Sequence, residues 1–402
     1  MIERVRVMLL LSSLHGGGAE RVAVHLLNRC DPDLIDVRMG LLRKAGPFLA
    51  DADASRVDVS PVGQDWLAYE GHNSSFYRPR KLFAGAVFAP ANVSSMIRAH
   101  RPHVVMSFLK GMSVLTYFVL KGLGEARPRW IAREGNNTDA VIDDELANPT
   151  GRALIKGLTR RCYRAADCFL ANSHEMARGL REALDLDRGR IRVIHNPIDL
   201  AAIRRSAGEP LPRPQARPFI VTAGRLEYQK GHDVLIEAFA ASHAAKNFDL
   251  VILGRGTREA ALKRQAAQLG VGARVIFPGF AVNPWAWLSK ATLFVLPSRW
   301  EGFPSVVAEA LACGAPALVT ACDYGPREVV EHGVSGWVVP PDDAAAFGAA
   351  MDRMLEQPDL TARLRANGKA RAPDFDIGKM IEAYTSLFVE QAAAPRAFAV
   401  GA

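Results

Sequence analysis

Ala207-Gly-Glu-Pro-Leu-Pro-Arg-Pro-Gln-Ala-Arg-Pro218 carries four prolines in twelve residues. Proline removes backbone donors and favours extended chain, so this stretch is a poor helix interior or central strand and predicts a stiff linker. On both sides of it, short apolar runs alternate with helical patterns. Before it, strands are expected at Val5–Leu11, Val104–Phe108, Trp130–Ala132, Cys168–Ala171 and Arg192–Ile194, with a helix at Ala19–Asn28. After it the pattern restarts, with strands at Phe219–Ala223, Asp249–Leu253, Val275–Pro278, Thr292–Leu296, Ala317–Thr320 and Gly336–Val339. Helices separate them, among them His232–Ala241, Glu259–Gln268, Ser305–Cys313 and Arg327–Glu331. Such alternation predicts parallel sheets covered by helices on both faces. The expected architecture is α/β, with doubly wound domains at 1–206 and 219–376 and the linker at 207–218. A cleft between them would place ligands beyond the carboxyl ends of the strands.

A chain of 402 residues and 43.7 kDa suits two domains. The apolar share of 49% and charged share of 23% exclude a disordered or fibrous chain. Five cysteines, none in a Cys-x-x-Cys pair, argue against a disulfide framework or a structural zinc and fit a reducing compartment. The apolar start resembles a signal peptide but reads better as a buried first strand. No run reaches about 18 apolar residues, so a cytoplasmic location is expected, peripheral at the inner face of the cytoplasmic membrane. The net charge of +8 is uneven: residues 1–200 carry 28 basic against 22 acidic residues, residues 201–402 carry 22 against 20. A basic first half suggests an anionic partner.

Ser298-Arg-Trp-Glu-Gly-Phe-Pro-Ser-Val-Val-Ala-Glu-Ala-Leu-Ala-Cys-Gly314 is the most informative motif. A strand ends near Ser298, a loop carries Glu301 and Gly302, and Ser305 is placed to cap the following helix. Glu309 lies about one turn into it, so two carboxylates could grip hydroxyls of a polar ligand. In Thr222-Ala-Gly-Arg-Leu-Glu-Tyr-Gln-Lys-Gly231, Arg225 and Lys230 occupy a strand-to-helix loop, where a fork donor and a point charge suit a diphosphate. Gly254, in Val251-Ile-Leu-Gly-Arg-Gly256, would allow close approach of a nucleotide, although the full Gly-x-Gly-x-x-Gly is absent. The loop Ser12-Ser-Leu-His-Gly-Gly-Gly-Ala-Glu20 offers room at a helix N-terminus. Asp31-Pro-Asp33 and Asp51-Ala-Asp53 read as solvated turns, and His195-Asn-Pro197 as a turn. His15, His174 and His195 show no metal-ligand spacing. Glu134, Asn136 and Asn137, after the strand at Trp130–Ala132, could line the cleft.

Assembled, these residues resemble the retaining glycosyltransferases of family 4, which have the GT-B fold of two Rossmann-like domains facing a central cleft. The resemblance rests on Gly17-Gly-Ala-Glu-Arg-Val22, Gly224-Arg-Leu with Lys230-Gly231, and the E-x7-E signature from Glu301 to Glu309. Asp323-Tyr-Gly-Pro-Arg-Glu328 with Gly333-Val-Ser-Gly336 completes it. It implies that Arg225 and Lys230 neutralise a donor diphosphate next to Gly224. Glu309 would hold the ribose, and Glu301 the donor sugar beside Gly302, Phe303, Pro304 and Ser305. Backbone near Phe280 and Val282 would meet the base, and Gly16 and Gly17 would close over the diphosphate. The implied donor is a nucleotide diphosphate sugar, UDP-sugar before GDP-mannose, transferred without cofactor or metal. At the loop where many members of the family carry a histidine, this chain has Glu134, Asn136 and Asn137. Two other classes stay open: a nucleotide-sugar epimerase or phosphorylase on the same architecture, and a non-catalytic nucleotide-binding protein. The first is not expected to carry the E-x7-E acids, and the second has no need of them.

Acceptor-side candidates are His15, Glu134, Asn136, Lys156, Arg160 and Arg161. Gly151–Arg164 holds five basic residues and no acid, with Leu154, Leu158 and Cys162 at helical spacing as an apolar stripe. Phe76-Tyr-Arg-Pro-Arg-Lys-Leu-Phe83 interleaves aromatic and basic residues. Together they suggest an anionic membrane surface presenting a lipid-linked or saccharide acceptor. Nucleic acid is not expected, since no binding motif accompanies the charge. A helix near 377–391 is expected to pack back on the first domain, and 392–402 to be a disordered tail.

Overall fold

The computed structural model describes residues 4–15, 17–59, 79–212 and 215–394. The chain divides into two units, Pro197–Ile377 and the remainder, to which the residues from Gly378 onward return. The first unit holds a seven-stranded parallel sheet: β1 (Val5–Leu11), β2 (Ile35–Leu41), β3 (Val57–Val59), β4 (Val104–Phe108), β5 (Arg129–Arg133), β6 (Cys168–Ala171) and β7 (Ile191–Val193). Its order is β3-β2-β1-β4-β5-β6-β7. The apolar runs become central strands because both faces are covered, and β4 is buried along its whole length. Strand β2 escapes a reading by apolar runs: Asp36 and Arg38 interrupt it, and Ile35, Val37, Met39 and Leu41 alternate inward.

The second unit repeats the winding with β8 (Phe219–Ala223), β9 (Asp249–Leu253), β10 (Val275–Gly279), β11 (Leu293–Leu296), β12 (Ala317–Thr320) and β13 (Trp337–Val339), in the order β10-β9-β8-β11-β12-β13. Successive side chains feed opposite cores. Val221, Val251, Phe294 and Val319 join one cluster, and Ile220, Leu250, Val295 and Leu318 the other. In both sheets the order reverses beside the first strand, so each has a crevice where β1 meets β4 and where β8 meets β11.

The domain boundary is corrected. It falls at Asn196–Pro197, not in the proline-rich stretch. Helix Leu200–Ser206 inserts Ile203 into the core of the second unit, and Ile198 bonds to Phe375 and Ile377 through the backbone. Beyond the helix, Asn283 donates to the Ser206 carbonyl at 2.8 Å and Ser289 to that of Ala207 at 2.6 Å. Proline stiffness reveals an extended segment, but packing decides which body owns it. At the other end, Tyr384, Leu387 and Phe388 of helix Ile377–Ala393 are buried residues of the first unit. That helix continues through 392 and 393, which corrects the start of the expected tail; residues 395–402 lie outside the described residues. All five cysteines are free.

Candidate functional site

The crevice of the second sheet is built by the loops after β8 and β11. Gly231 sits at φ +61°, and a Cβ there would lie 2.0 Å from the Pro297 carbonyl oxygen, so glycine lets the two loops touch. Lys230 then reaches Glu301, Nζ to Oε1 at 2.5 Å, with both side chains largely buried. Ser298 donates its hydroxyl to the same carboxylate oxygen at 2.6 Å, and Thr320 donates to the Ser298 carbonyl at 2.5 Å. The Lys230 stem lies on Gly224, whose bare Cα leaves it room, with Lys230 Cδ 3.4 Å from where a Cβ would be. Arg225 stands exposed nearby and donates through Nη2 to Gln229 Oε1 at 3.1 Å. Arg299 forks onto Asp233 at 2.9 and 3.0 Å, donates to Asp342 at 2.7 Å, and lies 4.0 Å over the Tyr228 ring. The site thus presents two cations and a hydrogen-bonded carboxylate on one rim.

Of the E-x7-E pair, Glu301 is in the loop and Glu309 is buried on the helix Ser305–Cys313. Ser305 does not cap that helix. Pro304 is the N-cap and makes no side-chain bond, and the Ser305 amide donates to the Phe303 carbonyl at 3.0 Å. That amide is therefore engaged within the loop that carries Glu301. Phe303 is buried edge-on against Phe375; Gly302 backs onto Gly325. Gly254 sits at φ +140°, and its absent side chain makes way for the Gly224 carbonyl, 1.9 Å from an ideal Cβ, so it packs against the adjoining loop. Phe280 and Val282, just past β10, are 52% and 92% exposed.

Sequence reasoning assigned nothing to Gln229, Ser298 or Arg299, which join the two loops. Their polarity at strand ends was the available signal, but polar loop residues are mostly solvated. His232, directly after the β8 loop, is buried with Nδ1 unpartnered. Burial, then Lys230, pushes its pKa down to about 3. An unfolded imidazole titrates near about 6.5, so between these values the unfolded chain binds the extra proton and stability falls as pH falls. Urea midpoints at pH 7 and pH 5 are expected to separate in the wild type and to lie closer in His232→Gln. Identical pH dependence in both would exclude this role.

In the first unit, Gly17 is an N-cap without a side-chain bond, at the head of helix Gly18–Arg29, and His15 is exposed. Gly16 lies outside the described residues, as do Phe76–Arg78 and the side chains of 79–83. Glu134 is buried: it accepts from Tyr163 Oη at 2.5 Å and from the Gly135 amide at 2.8 Å, and burial pushes its carboxyl up. Asn136 accepts from the Asn137 amide at 2.9 Å, and Asn137 caps helix Thr138–Glu145. His174 and His195, distant in sequence, meet edge to face with ring centroids 5.5 Å apart.

The basic segment differs from expectation. Helix Pro149–Arg164 buries Thr159, Cys162 and Tyr163, while Leu154 is 70% exposed, so Leu154 is not part of the packed stripe. The preceding helix supplies counter-charges: Lys156 pairs with Asp143 and Arg160 with Asp139, each at 2.7 Å. Arg161 is exposed, and Arg164 donates to the Leu184 carbonyl at 2.7 Å. Acids outside the segment, placed by an interhelical contact, thus answer part of its charge.

Residues 204–371 match the family described as Glycosyl transferases group 1, and residues 16–202 match Glycosyltransferase Family 4. A curated relative, the N-acetylgalactosamine-N,N'-diacetylbacillosaminyl-diphospho-undecaprenol 4-alpha-N-acetylgalactosaminyltransferase of Campylobacter jejuni, is 30% identical over 261 residues, covering 62% of this chain and 70% of the relative. The lipopolysaccharide core biosynthesis glycosyltransferase LpsE of Rhizobium meliloti is 26% identical over 387 residues, covering 93% and 96%. The crystal structure of Anabaena Alr3699/HepE in complex with UDP and glucose has a TM-score of 0.73 at 20% identity, covering 96% of this chain and all of that one. That likeness shows a shared fold.

Proposed function

The chain belongs to glycosyltransferase family 4 and has the GT-B fold, and from that premise we propose that it moves a hexose or N-acetylhexosamine from a nucleotide diphosphate sugar, with retention, to a lipid-linked or saccharide acceptor. The observation that carries this reading is the cluster of Arg225, Lys230 and Ser298-bound Glu301 at the switch point of the second sheet. Sugar transfer requires stabilisation of a departing diphosphate, and cations fixed where that charge develops supply it. Lys230 is already held by Glu301, so it is oriented before the donor arrives. Glu301 then faces the sugar hydroxyls from beside the same ammonium. No second acid forms a displacement pair with Glu301 in this loop, so front-face transfer fits, with the leaving phosphate taking the acceptor proton. UDP-sugars are favoured as donors because the Anabaena structure holds UDP and glucose.

A lipid-linked acceptor finds support in the Campylobacter relative, whose name specifies a diphospho-undecaprenol substrate. Among the described residues no helix is long and apolar enough to cross a membrane. Contact with an anionic leaflet at the cytoplasmic face would then be peripheral. It would fall to Arg161 and its basic neighbours, weakened by the Asp139 and Asp143 pairs. Incubation with radiolabelled UDP-sugars and bacterial membranes is expected to yield labelled lipid. Label appearing only as free sugar, or not at all with any UDP- or GDP-sugar, would overturn the transfer reading. Co-sedimentation with anionic vesicles should disappear as salt rises and weaken when Arg160, Arg161 and Arg164 are reversed in charge. A triple variant that keeps both binding and transfer places the acceptor elsewhere.

A further inference from the structure

We infer that Gln229 is a positioning residue that aims Arg225 at the donor diphosphate, an inference resting on the donor reading above. Gln229 is buried, and both ends of its amide are engaged. Oε1 accepts from Arg225 Nη2 at 3.1 Å, and Nε2 donates to the Trp300 carbonyl at 2.9 Å. Its backbone carbonyl accepts from the Arg299 amide at 2.8 Å. Adjacent residues of one loop therefore clasp adjacent residues of the other: Gln229 holds Trp300, and Lys230 holds Glu301. Arg225 is the exposed member, a long side chain with several rotamers to lose when it binds an anion. An amide acceptor anchored from behind by the Trp300 carbonyl restricts that freedom without neutralising the guanidinium, as a carboxylate would. Each polar end of the buried amide thus has a partner, and the Trp300 contact fixes the acceptor whether or not Arg225 is bound to it.

The test separates aiming from general support of the fold. Calorimetry with UDP and with uridine is applied to the wild type, Gln229→Leu, Arg225→Ala and the double variant. Gln229→Leu is expected to weaken UDP about tenfold and to leave uridine affinity unchanged, since uridine has no phosphate for Arg225 to meet. In the Arg225→Ala background the same change is expected to cost UDP nothing further. Equal losses for UDP and uridine, or a full tenfold loss in the Arg225→Ala background, would overturn the role. Should Gln229→Leu fail to fold, Gln229→Glu carries the test. Its carboxylate keeps an acceptor for Arg225 but cancels the cation, so UDP must weaken while uridine does not. A wild type that binds no nucleoside diphosphate overturns the donor reading and this inference together, whereas normal UDP binding in the Gln229 variants overturns this inference alone.

Discussion

Lys230→Ala and Arg225→Ala are each expected to lower turnover by 10²-fold or more, about 3 kcal/mol of transition-state stabilisation per lost donor. The two differ in what else they disturb. Arg225 is exposed and bonds to a neutral amide, so its removal leaves the fold intact and takes away a cation alone. Lys230 is the largely buried partner of Glu301, and removing it strands a carboxylate that keeps only Ser298 as a side-chain donor among the described residues. Breaking such a pair costs about 3–5 kcal/mol of stability. Lys230→Ala should therefore melt earlier than Arg225→Ala, and adding Glu301→Gln should restore melting without restoring turnover. Steady-state rates with a UDP-sugar, paired with thermal melts, read both effects. Near-normal turnover in folded Arg225→Ala and in the rescued double variant would remove the diphosphate assignment.

What the sequence disclosed here, and what it did not, follows from the range of the interactions. Strands such as Val104–Phe108 and Asp249–Leu253 are buried on both faces, so local composition identifies them. Glu301, Arg225 and Lys230 stand out in the sequence because each lies in a loop after a strand, where parallel sheets place ligands. Their mutual arrangement was not, since Lys230 and Glu301 meet only once β8 and β11 are neighbours. The basic helix fails by the same logic. Its own residues contain no acid, yet Asp139 and Asp143 reach it from the preceding helix. Asn196 behaves likewise: a residue read as part of a turn accepts from the buried Arg133 at 2.6 Å, while Arg133 Nε bonds to Tyr384 at 2.7 Å. Arginine within an apolar strand gives no local sign that its partners lie 63 and 251 residues further along the chain.

Gly254 turns this distinction into an experiment. The Gly254-Arg-Gly256 turn suggested a glycine kept bare for a nucleotide, whereas the structure puts the Gly224 carbonyl in that space, 1.9 Å from an ideal Cβ. The two accounts differ before any ligand is added. If a nucleotide were the only neighbour, Gly254→Ala would carry the strain of its φ alone, melt only slightly earlier and lose UDP affinity. With Gly224 as the neighbour, the substitution forces a side chain into a φ of +140° and against backbone that cannot rotate aside. Strain and overpacking together are expected to cost about 3 kcal/mol. For a domain of this size that lowers the melting temperature by about 6–12 °C in the absence of nucleotide. UDP affinity should fall as well, because Gly224 leads directly into Arg225 and the Gly224 amide bonds to the Leu253 carbonyl at 2.9 Å. The ligand-free melt is the deciding measurement: a melting temperature lowered by less than about 6 °C in Gly254→Ala would remove the clash with Gly224 and return the glycine to the nucleotide.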